Sequence, residues 1–442
     1  MRLPRYSWKH PFSHAGINYL IGVGGTMIFI IGGKGLSYLF QITMTYQYGA
    51  SVAGIFTLWF LSINIMSFLS RWGLDVLSVQ LIPKYQGQPG KQWYTIKSIL
   101  VLSSITSLLF SGFWFLIHPW VAKTIFNNAS LATPFFYSIF ILFPFNFLFL
   151  FGGVLRGFKQ FYSFAFVQHF FLHLVALIAL FVGNNYLNQS INLQFPIYAF
   201  SIGIVGSTLA GIILVYKQYP NGIIIEKTDD KILKAGTPFA LSNLSYFLLS
   251  WMDALLIGIF LNNESVGIFN LILRIAMIIS LPILGINSVS GPKISSAFFS
   301  RSASKLKKNI LVTVAVGFST ALPLSLIIIL FREKILTLFG PEFGMASLPL
   351  LILAISQFFH SSTGSAGLSL QMMNRARDFQ NILIGAVLLK LCLGTFLIPN
   401  FGLTGAAINV MIVTLFWKST TWLILIKRFK TFRLSINGGL NV

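Results

Sequence analysis

Long stretches of apolar residues constrain this chain of 442 residues more than any other feature of its sequence. Each is close to the ~20 residues needed to cross ~30 Å of hydrocarbon. Charged residues make up only 9% of the chain, against about a quarter in soluble domains. Because the stretches are continuous rather than short and alternating, they predict an all-α integral membrane protein. Twelve transmembrane helices are predicted, at residues 17–46, 53–82, 96–117, 133–155, 161–184, 195–216, 239–261, 266–292, 310–331, 348–373, 379–398 and 404–426.

Lysine and arginine residues divide unevenly between alternate loops. With twelve spans, 23 of them fall on the side of both termini, and three (Lys123, Arg332 and Lys334) fall on the other. The positive-inside rule therefore predicts that both termini are cytoplasmic. The same topology explains the formal net charge of +22, so we expect membrane lipids rather than nucleic acid as partners.

A short motif occurs at the same place in both halves of the chain. The sequence SVAGIF at residues 51–56 opens the second predicted span, and ESVGIF at residues 264–269 opens the eighth. We therefore predict an N-terminal six-helix lobe at residues 1–220, a cytoplasmic linker at 221–238 and a C-terminal six-helix lobe at 239–442. The two lobes would be related by a parallel pseudo-twofold axis, and such repeats place a substrate path between them.

Basic side chains inside the spans are candidates for substrate binding, because a charge in hydrocarbon is costly unless it faces a partner or water. Lys34 and Lys390 are predicted near the midplane, and Arg274 about 10 Å below the outer end of its span. With Arg71 they are predicted to attract the phosphate groups of an anionic substrate. Lys418 is expected to extend towards the cytoplasmic surface.

The two acidic residues within the spans allow more than one interpretation. Asp75 lies four residues after Arg71, on the same face of a helix, which favours a structural ion pair between them. Asp253 is a candidate either for balancing the charge of Arg274 or for carrying a coupling proton. We leave these two roles open.

Histidine residues inside the spans are weaker candidates. His360 lies in the middle of the tenth span beside Ser361 and Ser362, where it could respond to protons, contact a sugar or form a structural hydrogen bond. His169 and His173 have the spacing of a metal pair, but helix packing is favoured because neither carboxylate nor cysteine lies nearby in the sequence. No metal site, catalytic residue or cofactor is predicted.

Four blocks of sequence resemble oligosaccharide and polysaccharide flippases, including O-antigen flippases, of the multidrug/oligosaccharidyl-lipid/polysaccharide exporter superfamily. The blocks run from Gly54 to Lys84, Leu155 to Gly157, Pro238 to Ser295 and Pro399 to Ala407. The resemblance implies two lobes around a central cavity and transport by alternating access. It also implies movement of an undecaprenyl-diphosphate-linked oligosaccharide from the cytoplasmic to the outer leaflet of a bacterial inner membrane, for O-antigen or capsule-type polysaccharide.

Other functions remain as alternatives at this stage. A multidrug or cation antiporter of the same superfamily would favour acidic groups, whereas the spans hold five basic residues and two acidic ones. A glycan polymerase or ligase would need a catalytic surface on the outer side, where the predicted loops are short. A non-transporting scaffold for envelope assembly is the last alternative. We expect a monomer without enzymatic activity, with coupling to H+ or Na+ left open and a glycan polymerase as a partner.

Overall fold

The structure is a computed structural model that describes residues 14–186, 193–220, 224–228 and 232–437. Residues 1–13, 221–223 and 229–231, which carry part of the predicted terminal and linker charge, lie outside these ranges. Within them, every element of regular secondary structure is a helix. The prediction of an all-α fold is confirmed.

The first half of the chain contains seven α-helices and two π-helical segments within the described ranges. The π-helical segments extend α3 at Val121–Ile125 and join α5 to α6 at Phe166–Phe171. The helices are α1 (His14–Arg71), α2 (Leu74–Lys84), α3 (Pro89–Trp120), α4 (Ala132–Gly157), α5 (Phe161–Ala165), α6 (Leu172–Tyr186) and α7 (Phe195–Tyr216).

The second half, as far as it is described, contains seven further α-helices. A short 3₁₀ turn at Ile278–Ser280 joins α9 to α10, and another at Pro341–Ala346 precedes α12. The helices are α8 (Ile232–Phe260), α9 (Asn263–Met277), α10 (Leu281–Phe299), α11 (Ala303–Thr337), α12 (Ser347–Ser362), α13 (Ala366–Met372) and α14 (Ala376–Asn437).

Nine helical segments in the described part of the chain are long and apolar enough to cross a membrane, and Phe247–Phe260 is a shorter apolar helix. Two of the nine, Ile28–Arg71 with 44 residues and Ala376–Phe432 with 57, exceed one crossing. At ~1.5 Å per residue each could cross ~30 Å of hydrocarbon twice. The count of twelve spans stays a prediction.

Two loops predicted between spans are replaced by bends at single glycines. In α1 the bend is at Gly49, with φ 78° and ψ 175°, and in α14 it is at Gly402, with φ 57° and ψ −135°. Residues with a Cβ atom rarely adopt these backbone angles. Glycine therefore lets the chain change direction within one residue, where the sequence predicted loops of several residues.

The second predicted span, at residues 53–82, is interrupted in the structure. Helix α1 ends at Arg71, Trp72 and Gly73 adopt positive φ angles of 44° and 75°, and α2 begins at Leu74. The indole nitrogen of Trp72 donates a hydrogen bond to the hydroxyl of Thr237, at 3.1 Å. The expectation of one continuous helix is wrong here, because a left-handed pair of residues cannot continue a right-handed helix.

The helices form two compact units, each with its own apolar core. Leu74, Leu77 and Leu150 are fully buried in the first unit, and Leu306 and Leu370 in the second. The predicted lobe boundaries at residues 220 and 239 stay a prediction. Counting only residues that the structure describes, the first unit lies within Met1–Thr43, Ser62–Trp120 and Ala132–Ala240, and the second lies within Met44–Leu61, Val121–Leu131 and Leu241–Val442.

The two copies of the repeated motif cross each other inside the second unit. A Cβ atom on Gly54 would overlap the carbonyl oxygen of Asn263, and one on Gly267 would overlap the carbonyl oxygen of Ala50. These contacts are reciprocal, because Gly54 corresponds to Gly267 and Ala50 to Asn263 in the repeat. Glycine allows helices to approach to backbone contact, so the repeat retains glycine at the position where its two copies touch.

We predict that Gly267→Ala destabilises the protein by about 1–3 kcal/mol, because the added methyl group forces the crossing helices apart. Gly112→Ala is the matched control, since a Cβ atom at Gly112 meets no heavy atom within 4 Å. Denaturant unfolding of both variants in detergent micelles measures the difference. Equal stability of the two variants would contradict the importance of the crossing.

Candidate functional site

A buried ion pair joins α8 to α14 in the second unit. The ammonium nitrogen of Lys390 lies 2.6 Å from Oδ2 of Asp253 and also donates to the carbonyl oxygen of Leu249, at 2.7 Å. Asp253 and Lys390 are only 3% and 5% exposed. The amide nitrogen of Asn409 donates to the carbonyl oxygen of Lys390, at 3.1 Å. All the hydrogen-bond partners named for this pair belong to the second unit.

This pairing bears on one of the two sequence-based interpretations of Asp253. Asp253 was expected either to balance Arg274 or to carry a coupling proton; its Oδ2 atom is bonded to Lys390, and the role in carrying a proton stays a prediction. Its Oδ1 atom is buried and has no hydrogen-bond partner among the described residues. The structure thus gives Asp253 a charge partner on α14 rather than on α9. A role for Lys390 in substrate binding stays a prediction.

Arg274 belongs to a polar chain that begins at the crossing of the repeated motifs. Its Nε atom donates to Oδ1 of Asn270 at 2.8 Å, and Nδ2 of Asn270 donates to the hydroxyl of Thr57 at 2.7 Å. Thr57 and Asn270 each follow a crossing glycine by three residues. The helix crossing therefore places the amide that orients the guanidinium of Arg274.

Arg71 and Asp75 form the ion pair that their spacing predicts, although the helix is broken between them. Nη1 of Arg71 lies 3.4 Å from Oδ2 of Asp75, and its Nε atom donates to the carbonyl oxygen of Ser67 at 3.3 Å. The guanidinium carbon lies 4.0 Å from the centre of the Phe149 ring. A cation–π contact of this kind stabilises the cation without neutralising it.

Arg156 is a second guanidinium in the same region and was missed as a site residue. The sequence places it in a cytoplasmic loop, whereas the structure places it in the last turn of α4. Its guanidinium carbon lies 4.6 Å from the centre of the Phe164 ring, and its Nε atom donates to the carbonyl oxygen of Gly152 at 3.4 Å. Asp75 interacts electrostatically with both arginines. The only sequence feature that pointed to Arg156 was the block Leu155–Gly157, which resembles the polysaccharide flippases.

Lys34 lies on an exposed face of α1, also in the first unit. The preceding residue, Gly33, packs against the carbonyl group of His169 in the π-helical segment. The ring of His173 bonds to that same carbonyl oxygen through Nδ1, at 2.7 Å. His169 interacts electrostatically with both Lys34 and Arg156. Lys34 is therefore brought towards the region of Arg156, whereas the two histidines pack within their helix.

His360 packs beside a buried lysine at the break between α12 and α13. Its ring centre lies 5.6 Å from that of Trp417, and its Nδ1 atom is buried without a hydrogen-bond partner among the described residues. The ammonium of Lys418 donates to the carbonyl oxygen of Gly364 at 3.4 Å and lies 4.6 Å from the Trp417 ring centre. Lys418 does not extend to the surface as expected, because the helix break presents a carbonyl group that it can bind.

The candidate site residues are distributed over both compact units. The first unit brings together Arg71, Asp75 and Arg156, with two guanidiniums to one carboxylate, and this excess positive charge suits an anion. The second unit pairs Asp253 with Lys390. In the part of the chain that the structure describes, no three His, Cys, Asp or Glu side chains are placed to hold a metal ion.

Comparison with known protein families decides the family. The family model described as polysaccharide biosynthesis protein matches residues 20–298, which is more than half of the chain. The chain belongs to the polysaccharide biosynthesis protein family. The MatE family model also matches residues 238–396. The predicted resemblance to polysaccharide flippases is confirmed.

Two curated relatives from Haloferax volcanii are similar to parts of this chain. One, described as the probable low-salt glycan biosynthesis flippase Agl15, is 30% identical over 168 residues, covering 38% of this chain and 36% of Agl15. The other, described as the probable flippase AglR, is 26% identical over 243 residues, covering 54% of this chain and 47% of AglR. The chain thus matches less than half the length of each relative.

Solved structures show the same fold at low sequence identity. An inward-facing multidrug resistance MATE family transporter of the MOP superfamily has a TM-score of 0.75 and 16% identity, covering 94% of this chain and 98% of its own. The lipid II flippase MurJ, in an inward closed conformation, has a TM-score of 0.70 and 14% identity, covering 94% of this chain and 90% of its own. The predicted exporter-superfamily fold is confirmed.

We predict that Asp253→Asn and Lys390→Met each destabilise the protein by about 3–5 kcal/mol, because each leaves one buried charge without its partner. The double variant should recover most of the lost stability, since neither charge remains. Denaturant unfolding of the four proteins in detergent micelles measures the coupling. Additive losses in the double variant would show that the two side chains do not depend on each other.

Proposed function

We propose that this protein is a flippase for a lipid-linked glycan. The observation that carries the proposal is the presence of two guanidiniums near one carboxylate in the first unit. Arg71 is paired with Asp75, and Arg156, in the last turn of α4, interacts electrostatically with the same carboxylate. Charged groups in apolar helices face a partner, water or a substrate path, and here one carboxylate does not balance two guanidiniums. Membership of the polysaccharide biosynthesis protein family supports a glycan carried on phosphate as the anionic partner.

The arginines have the chemistry that diphosphate recognition needs. Guanidinium groups present several N–H donors in a plane and remain charged at all physiological pH values. The rings of Phe149 and Phe164 hold one face of each guanidinium, so less side-chain entropy is lost when an anion binds. Lys34 and Arg274 are proposed as further cations that attract the phosphate groups of the substrate during translocation. His360 and Asp253 are proposed for coupling or charge balance.

The finer features of this function are also part of our proposal. The substrate is an undecaprenyl-diphosphate-linked oligosaccharide, moved from the cytoplasmic to the outer leaflet by alternating access for O-antigen or capsule-type polysaccharide. The protein works as a monomer in a bacterial inner membrane, with both termini cytoplasmic and a glycan polymerase as a partner. It catalyses no covalent chemistry, and coupling to H+ or Na+ supplies any energy that transport requires.

The acidic residues argue against the antiporter alternative. A transporter of organic cations needs an acidic group that can bind the cation. Asp253 is bonded to Lys390, and Asp75 is bonded to Arg71, so both acidic residues of the predicted spans already hold a cation of the chain. The relatives Agl15 and AglR are both described as probable flippases, and the description of Agl15 names glycan biosynthesis, which supports the glycan alternative.

Transport by the purified protein in vesicles tests the proposal. We expect an undecaprenyl-diphosphate-linked oligosaccharide placed in the inner leaflet to become accessible to a lectin outside the vesicles. Arg156→Ala should slow this translocation about tenfold or more, because a charge-assisted contact with phosphate is lost. Lys159→Ala is the matched control, since Lys159 is exposed just beyond the same helix. Vesicles with folded protein but no translocation would refute the proposal.

A second prediction concerns the orientation of Arg274. Asn270→Leu removes the amide that holds the guanidinium but keeps the charge of Arg274. We expect slower translocation, approaching that of Arg274→Ala, with insertion into the membrane unchanged. Lys334→Ala, which neutralises an exposed cation on α11, should translocate normally. Wild-type rates in both Asn270→Leu and Arg274→Ala would exclude this polar chain from transport.

A further inference from the structure

A groove with basic residues at one end and apolar residues along its length lies on the second unit. It has a volume of about 770 Å³ between the start of α11 and the end of α14. Its basic end carries Lys307 and Lys308, and none of the described residues that line it is acidic. Deeper along α11 it is lined by Leu311, Val312 and Ala315.

The exposure of these residues shows which environment the groove faces. Leu311 and Val312 are 50% and 49% exposed. In a membrane-spanning helix an exposed apolar stripe faces lipid chains. The two lysines lie about one turn nearer the helix start, on the side that the positive-inside rule assigns to the cytoplasm. The groove thus changes from cationic to apolar along the direction in which a phospholipid changes from headgroup to acyl chain.

The same arrangement occurs at the equivalent place in the first half of the chain. A second groove, of about 480 Å³, has Lys97 and Lys227 beside the apolar residues Val101 and Ile105 of α3. Lys97 follows Pro83-Lys84 by 13 residues, and Lys307 follows the matching Pro292-Lys293 by 14. Both copies of the repeat therefore combine lysine with an apolar groove on their third predicted span.

A third groove shows that this charge pattern is not general. It lies between the two legs of α14 and is lined by Lys427, Arg428 and Asp378. There the guanidinium of Arg428 is bonded to the carboxylate of Asp378, with Nη2 2.8 Å from Oδ2. The anion that this arginine attracts is already supplied by the protein. No described acidic residue lines the α11 groove to do the same for Lys307 and Lys308.

We propose that the groove between α11 and α14 binds an anionic phospholipid of the cytoplasmic leaflet. The phosphate lies against Lys307 and Lys308, and an acyl chain lies along Leu311, Val312 and Ala315 beside Phe429. Each lysine near an anionic membrane surface favours binding, and the acyl chain adds apolar contact. All of these residues belong to one compact unit, so the site does not depend on the proposed transport function.

Native mass spectrometry of the purified full chain, titrated with phosphatidylglycerol or phosphatidylcholine, tests this inference. We expect tighter binding of phosphatidylglycerol, and about 30-fold weaker binding in the double variant Lys307→Gln/Lys308→Gln. Lys293→Gln/Lys305→Gln is the matched control, because it removes two exposed lysines nearby that do not line the groove. Equal weakening in both variants would mean general surface attraction and would overturn the proposal.

A second pair of variants tests the apolar part without changing the charge. Ala315→Trp fills the groove and should weaken phosphatidylglycerol binding, whereas Val316→Trp, on the next residue outside the groove, should not. Wild-type affinity in Ala315→Trp overturns the acyl-chain contact. Displacement of the lipid by millimolar inorganic phosphate would indicate a phosphate site only, and displacement by undecaprenyl diphosphate would indicate a site for the substrate carrier; either result overturns the phospholipid proposal.

Discussion

The backbone contact between Gly54 and the helix that carries Gly267 is the interaction on which the second unit depends. Two helices can cross this closely only where neither has a side chain, since each glycine lies against the carbonyl oxygen of the residue just before the other motif. One turn further along, the same crossing brings Thr57 within hydrogen-bond distance of Asn270. The same Asn270 side chain accepts a hydrogen bond from Arg274. The close packing of the two glycines and a candidate functional group are therefore connected through Asn270.

The cost of burying charge explains how the remaining ionisable groups are arranged. Asp253 and Lys390 are fully enclosed, and they can be so only because each supplies the charge that the other needs. Arg71 and Arg156 are stabilised differently. Each guanidinium lies over an aromatic ring, Arg71 is paired with Asp75, and Arg156 interacts electrostatically with the same carboxylate. Since an aromatic face stabilises a cation without cancelling its charge, the first unit retains the positive charge that an anionic substrate requires.

Several expectations failed at places where helices are interrupted. Periodicity and composition show where apolar helices lie, but they do not reveal the positive φ angles at Trp72, Gly73 or Gly402. The break between α12 and α13 leaves the carbonyl oxygen of Gly364 free of the helix, and Lys418 binds it. The sequence placed Lys418 at the surface because hydropathy carries no information about such carbonyl groups. It missed Arg156 for a related reason, since the end of α4 extends beyond the predicted span.

The sequence by itself determined the helical membrane fold, the repeat and the excess of basic residues, because hydrocarbon excludes unpaired backbone groups and tolerates few charges. The spacing of Arg71 and Asp75 was enough to predict their ion pair. Only the tertiary structure decided that Asp253 is bonded to Lys390, which is 137 residues away in the chain. Partners at that separation are chosen by helix packing, which the order of residues along one helix cannot specify.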